Sequence, residues 1–187
     1  MQAPTRTRSG PPALIVPIGP VEQAHIDYLG QVLPESFAQE FRVFGHVATL
    51  DAHYDPLRRQ WNAMRLLEDL AALGRREEAP RVLGVTSFDL FIPILTFVFG
   101  LAHLEAGAAL VSLHRLAPEF YGLAPDPDRL LQRLEKEVFH ELGHTHGLRH
   151  CRDPQCVMHY SNTVEEVDLK EARYCADCAL SLPGLTN

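Results

Sequence analysis

The stretch from His140 to His150 limits what this chain can fold into more than any other part of it. It reads His140-Glu141-Leu142-Gly143-His144-Thr145-His146-Gly147-Leu148-Arg149-His150. On an α-helix, two imidazoles four residues apart return to nearly the same face, so His140 and His144 can reach one ion. Glu141 follows the first of them directly, where a carboxylate can approach a water at that ion without ligating it. Gly147 can take the left-handed conformation that ends a helix, and the chain can then double back to bring in His150. Three protein ligands leave one position open, the arrangement of a catalytic zinc. Such a zinc lowers the pKa of water towards about 7, and Glu141 would take the proton and pass it to a leaving amine. The competing reading is a surface helix with incidental histidines, which Gly147 and His150 at these offsets argue against. His146 sits about 240° round the helix from His140 and should face away.

All four cysteines fall in the last fifth of the chain, as Cys151-x4-Cys156 and Cys175-x2-Cys178. Four thiolates in two close pairs fit a closed tetrahedral zinc site, with free cysteines or a disulfide as the alternative. Cys151 follows His150 directly, so such a site would anchor the loop that presents the third histidine. A redox or partner role is the other use of that cluster. Tyr160 can either turn its hydroxyl towards the zinc to stabilise an oxyanion or pack as a loop tyrosine. His25, His46, His53, His103, His114 and His159 have no ligand spacing.

The rest of the chain alternates strands and helices. Short strands are expected at residues 14–18, 42–50, 81–87 and 107–113, and helices at 21–33 and 56–73, the second stopped by Gly74. Pro93 excludes a central strand and implies a loop. Residues 97–102 suit an edge strand, either the upper rim of a cleft along which an extended peptide can add or an edge strand with no ligand. Asp89 is expected to cap a turn. Asp126-Pro127 starts the histidine-bearing helix, with Asp126 as N-cap. Thr163 and Glu166 form a capping box for a last helix reaching about Tyr174. The expected fold is α/β (α+β), with a twisted, mixed, mostly parallel sheet. The expected divisions are a loose tail over 1–12, a subdomain over 13–147 including the active-site helix, and a small zinc-bound subdomain over 148–187.

Composition narrows the partners. Hydrophobic residues make up 46% of the chain, enough for a real core. A net charge of −7 and the lack of a Lys/Arg block argue against a nucleic-acid binder. The apolar runs are too short to span a bilayer or to serve as a secretory signal. A cytoplasmic monomer acting on peptides or proteins, with neither nucleic acid nor membrane as partner, is the expectation.

The combined pattern His140-Glu141-x2-His144-x2-Gly147-x2-His150-Cys151-x4-Cys156-x-Met158, followed by Cys175-x2-Cys178, resembles the archaemetzincins, metzincin zinc metallopeptidases. Sixteen residues separate Met158 from Cys175, one fewer than in the family's pattern, which trims a loop. The resemblance implies a metzincin fold and two zinc ions. One is catalytic, at His140, His144 and His150 with Glu141 as base; the other is structural, at Cys151, Cys156, Cys175 and Cys178. It also implies a methionine turn at Met158, beneath the catalytic ligands, for which an ordinary core methionine is the alternative. Two rival functions stay open: an aminopeptidase or processing peptidase with a narrow pocket, and a zinc-scaffolded peptide-binding protein with little catalysis.

Overall fold

The computed structural model describes residues 11–45, 47 and 51–182. The expected tail up to residue 10, and His46 with residues 48–50, lie outside these. In chain order the elements are β1 (Ala13–Ile18), α1 (Gln23–Ser36), β2 (Phe41–Val43), β3 (Tyr54–Asp55), β4 (Gln60–Asn62), α2 (Ala63–Arg76), β5 (Val82–Thr86), β6 (Leu90–Ile92), β7 (Leu95–Val98), β8 (Gly100–His103), β9 (Ala108–Ser112), α3 (Pro127–Thr145), α4 (Val164–Leu169) and α5 (Ala176–Leu180).

The main sheet has the order β2-β1-β5-β9-β8. Its first four strands are parallel and β8 runs antiparallel along the edge, paired from Gly100–Val111 to His103–Ala108. The central strands β1, β5 and β9 are buried throughout, as parallel strands covered on both faces must be. Their alternate residues feed two cores. Ile15, Leu83, Val85, Ala109 and Val111 pack against α1 and α3. Leu14, Val16, Val82 and Leu110 pack against α2 on the other face. A second sheet, β3-β4-β6-β7, extends the α2 side and carries the strand that rises over the site.

Six expectations are corrected. Residues 56–62 do not open the second helix. The Asp55 carboxylate accepts from the Leu57 and Arg58 amides at 2.9 and 3.1 Å, and Arg59 takes a φ of 57°, so the chain turns into the β3–β4 hairpin. Helix α2 starts at Ala63, where the Asn62 side chain caps the Met64 and Arg65 amides. Gly74 does not stop it, because the helix runs on to Arg76 and Gly74 is buried against Val82. Among the described residues of the strand expected over 42–50, the ladder covers only the Phe41–Val43 strand, and Val47 is bridged singly to Ile18. The edge strand over 97–102 is two strands, β7 in the second sheet and β8 in the first, which part at Phe99. The helix capped by Thr163 and Glu166 forms with its capping box but ends at Leu169, where Lys170 turns extended; α5 follows as a separate turn. Asp89 caps no turn: it holds Arg115 through two bonds of 2.7 and 2.8 Å and accepts from Gln60.

Candidate active site

Helix α3 forms where expected. Asp126 accepts from the Arg129 amide at 3.0 Å, Pro127 occupies the first position, and Gly147 ends the helix with a φ of 91°. Its apolar stripe, Leu134, Val138 and Leu142, is buried in the main core and fixes the helix's rotation. The opposite edge of that stripe carries Glu137, His140, Glu141 and His144 into a cavity of ≈ 500 Å³ roofed by β7 and β8.

The structure brings His140, His144 and His150 together, with one nitrogen of each within 4.8 Å of the others. His140 Nδ1 lies 2.8 Å from the Val157 carbonyl oxygen, and His144 Nδ1 lies 2.8 Å from that of Leu148. A carbonyl only accepts, so both Nδ1 atoms carry the proton and both Nε2 atoms present lone pairs. Those two Nε2 atoms face each other at 3.1 Å. Two acceptors that close repel unless a cation lies between them, so the donor set fits a metal on its own chemistry. Burial lowers the pKa of His140 well below 6.5, helped by Lys170, and lowers His144 and His150 as well, which keeps all three in the neutral ligating form. His150 is exposed, and its ring packs 5.1 Å from that of Tyr160, which borders the same cavity. His146 turns away as expected: its Nδ1 lies 2.8 Å from the Leu142 carbonyl oxygen and its ring stacks on Phe37.

Glu141 is buried beside the histidines. Burial, then the neighbouring Glu137, push its carboxyl well above the usual range, and Lys170 pulls it partly back. Its side chain is pinned by β8: a Cβ added to Gly100 would lie 2.7 Å from Glu141 Cγ and Oε1. Met158 is fully buried against the helix, and a Cβ on Gly143 would lie 2.4 Å from its sulfur. The Cys151 amide donates to the Met158 carbonyl at 2.9 Å, which closes the loop from His150 back under α3.

The four cysteines are free of disulfides and also converge, their sulfurs within 4.8 Å of one another. Cys151 and Cys175 Sγ are 3.7 Å apart. That is close to the edge of a tetrahedron with zinc–sulfur bonds of about 2.3 Å, so the thiols fit a zinc in size and kind. The Cys175 amide donates to Cys156 Sγ at 3.3 Å. A bond from the Cys178 amide lowers the Cys175 pKa, while burial raises that of Cys156.

Residues 42–183 match the sequence model of peptidase family M54. The chain is 42% identical to the archaemetzincin of Pyrococcus furiosus, over 90% of this chain and 91% of that one. It belongs to the archaemetzincins. As a member of this family it is a zinc-dependent metallopeptidase. The fold agrees. A zinc-dependent peptidase from Methanocorpusculum labreanum superposes with a TM-score of 0.84 at 30% identity, covering 91% of this chain and 99% of that one. The archaemetzincin of Methanopyrus kandleri does so with 0.79 at 37% identity, covering 95% and 96%.

Sequence reasoning missed three residues of this archaemetzincin site. Glu137 stands one turn before Glu141 on the same helix face, a spacing that was there to be read. Gly100, a glycine inside an apolar strand, carries the general signal of a close approach without saying by what. Lys170 gave no signal, since its partner is 33 residues away and its burial is set by the tertiary fold.

Proposed function

We propose that this archaemetzincin hydrolyses peptide bonds with Glu141 as general base at a zinc held by His140, His144 and His150. The observation that carries this reading is the pair of lone-pair nitrogens 3.1 Å apart, their other nitrogens committed to carbonyls, with a buried carboxyl beside them. When bound, zinc supplies a Lewis acid that polarises the scissile carbonyl and brings the pKa of water towards about 7. The chain's own groups do the rest. The Val157 and Leu148 carbonyls hold the imidazoles in the ligating tautomer. The Glu141 carboxylate, its proton affinity raised by burial, takes a proton from water and then passes it to the departing amine. Tyr160 is the proposed donor to the oxyanion and Met158 the support beneath the ligands.

The same proposal covers a second zinc at Cys151, Cys156, Cys175 and Cys178, and the division of the chain at 147/148, where the histidine-bearing helix hands over to the loop that this zinc would hold. A monomer in the cytoplasm acting on peptides or proteins completes it; among the described residues no helix is long and apolar enough to cross a membrane. An aminopeptidase would need a free carboxylate to hold the substrate amine. Glu137 borders the cavity, but its charge is already neutralised by Lys170, which weighs against that specialisation.

Glu141→Gln tests the reading against a peptide-binding scaffold. The variant should keep its zinc and lose turnover by about 10²–10⁴-fold, measured by metal content and by cleavage of a peptide library. Equal turnover in wild type and variant would sink the assignment.

A further inference from the structure

Hydrolysis does not use all the chemistry beside Glu141. Lys170 Nζ donates to Glu137 Oε1 at 2.8 Å, and the two side chains are 1% and 4% exposed. Both line the cavity that holds His140, Glu141 and His144. A buried ion pair is a poor choice for mere anchoring, since apolar residues of equal volume usually serve as well. Anchoring is also provided next door. Arg133 grips Asp168 through bonds of 2.7 and 2.6 Å, and Lys136 donates to the Val167 and Asp168 carbonyls. The pair is left with unspent valence. An ammonium has three donors, and Glu137 takes one of them; Glu137 Oε2 has no partner among the described residues. Together they offer two donors and an acceptor while carrying no net charge.

Position decides which part of a peptide meets them. Glu141 must stand beside the leaving amine in order to protonate it. Glu137 lies one helical turn, about 5.4 Å, further towards the start of α3. The side chain of the residue that supplies the amine therefore reaches towards Glu137 and Lys170.

Resting on the peptidase reading above, we propose that Glu137 and Lys170 form a recognition pocket that selects a carboxamide side chain, glutamine or asparagine, on the amine side of the scissile bond. The carboxamide oxygen accepts from Lys170 Nζ and its NH₂ group donates to Glu137 Oε2. A carboxylate or an ammonium there would be a third buried charge with nothing left to neutralise it. An apolar side chain would expel water and leave the donors and the acceptor unmet.

The zinc-loaded enzyme is tested against peptides varied at that one position, with cleavage sites mapped by mass spectrometry. In parallel, alanine hexapeptides carrying a single Gln, Glu or Leu are titrated calorimetrically into zinc-loaded Glu141→Gln. Gln should exceed Glu and Leu by about tenfold or more in kcat/KM, and by a similar factor in Kd. The double variant Glu137→Leu/Lys170→Met replaces the pair without stranding a charge, and should turn the preference to Leu. If that variant does not fold, the first two arms decide alone. Cleavage with no preference, or with Glu or Leu ahead, overturns the pocket and leaves the peptidase reading standing. Selective binding of Gln without any cleavage supports the pocket and removes the hydrolytic assignment. Neither cleavage nor selection overturns both.

Discussion

A methyl group at position 100 would lie 2.7 Å from Cγ and Oε1 of Glu141, far inside contact distance. The carboxylate must then move, because β8 is tied to β9 through Leu101–Leu110 and its flanking pairs and cannot back away. Gly100→Ala should therefore leave zinc content unchanged and lower kcat by about 10²-fold, the usual cost of displacing a reacting group by about an ångström. Steady-state kinetics with metal analysis on the same sample checks this, and an unaltered kcat would show that Glu141 is not held from that side. At this scale the sequence was legible wherever function is written in local spacing. His140, Glu141 and His144 lie on one helix, and Gly147 turns the chain so that His150 joins them. Gly100 and Lys170 were not legible, because each matters through a neighbour that only the folded chain supplies.

Helix α3 and the loop beneath it fit as a pair, and the fit is tightest where Gly143 meets Met158. An alanine at 143 gains about 1 kcal/mol of helix propensity yet places its Cβ 2.4 Å from the Met158 sulfur. Overpacking of this kind costs about 1–3 kcal/mol, so Gly143→Ala should be net destabilising. Met158→Ala alone should also destabilise, by opening a cavity at a fully buried site. If the two residues are in contact as described, the double variant loses clearly less than the sum, a coupling read from denaturant unfolding of all four chains. Simple additivity would separate Met158 from the helix. Elements were readable from sequence where caps stated their ends: Asp126 and Gly147 bound α3, and Thr163 with Glu166 opens α4. They were misread where a side chain diverted the backbone. Asp55 and Arg59 turned helical-looking residues into a hairpin, and the apolar run 97–102 concealed a passage between two sheets.

Across the whole molecule, the apolar cluster that buries α3 is continuous with the chain after Gly147. Leu148, Val157, Met158, Val164, Val167, Tyr174 and Leu182 pack in it with Ile26, Leu29 and Leu33 of α1. Tyr174 donates from its hydroxyl to the Phe139 carbonyl at 2.8 Å, in the turn just before His140. The cysteine cluster is joined to this body at both ends. Cys151 is bonded through its amide to Met158, and the Val157 amide donates to the Arg173 carbonyl, two residues before Cys175. Disturbing the thiols should thus reach the histidines through the backbone. In Cys175→Ser the zinc proposed at the four thiols would lose one of its ligands, and because metal-site free energy is folding free energy, stability should fall with it. For a chain of this size each kcal/mol is about 2–4 °C, so a loss of about 3 kcal/mol or more lowers Tm by roughly 10 °C. The histidine site should also release zinc to a chelator more readily, by about 10–100-fold, since the Leu148 and Val157 carbonyls that orient His144 and His140 belong to the same loop. Scanning calorimetry and zinc retention against a graded chelator read the two effects separately. A lower Tm with unchanged retention would confine the cysteines to holding the loop, and an unchanged Tm would remove the structural zinc altogether.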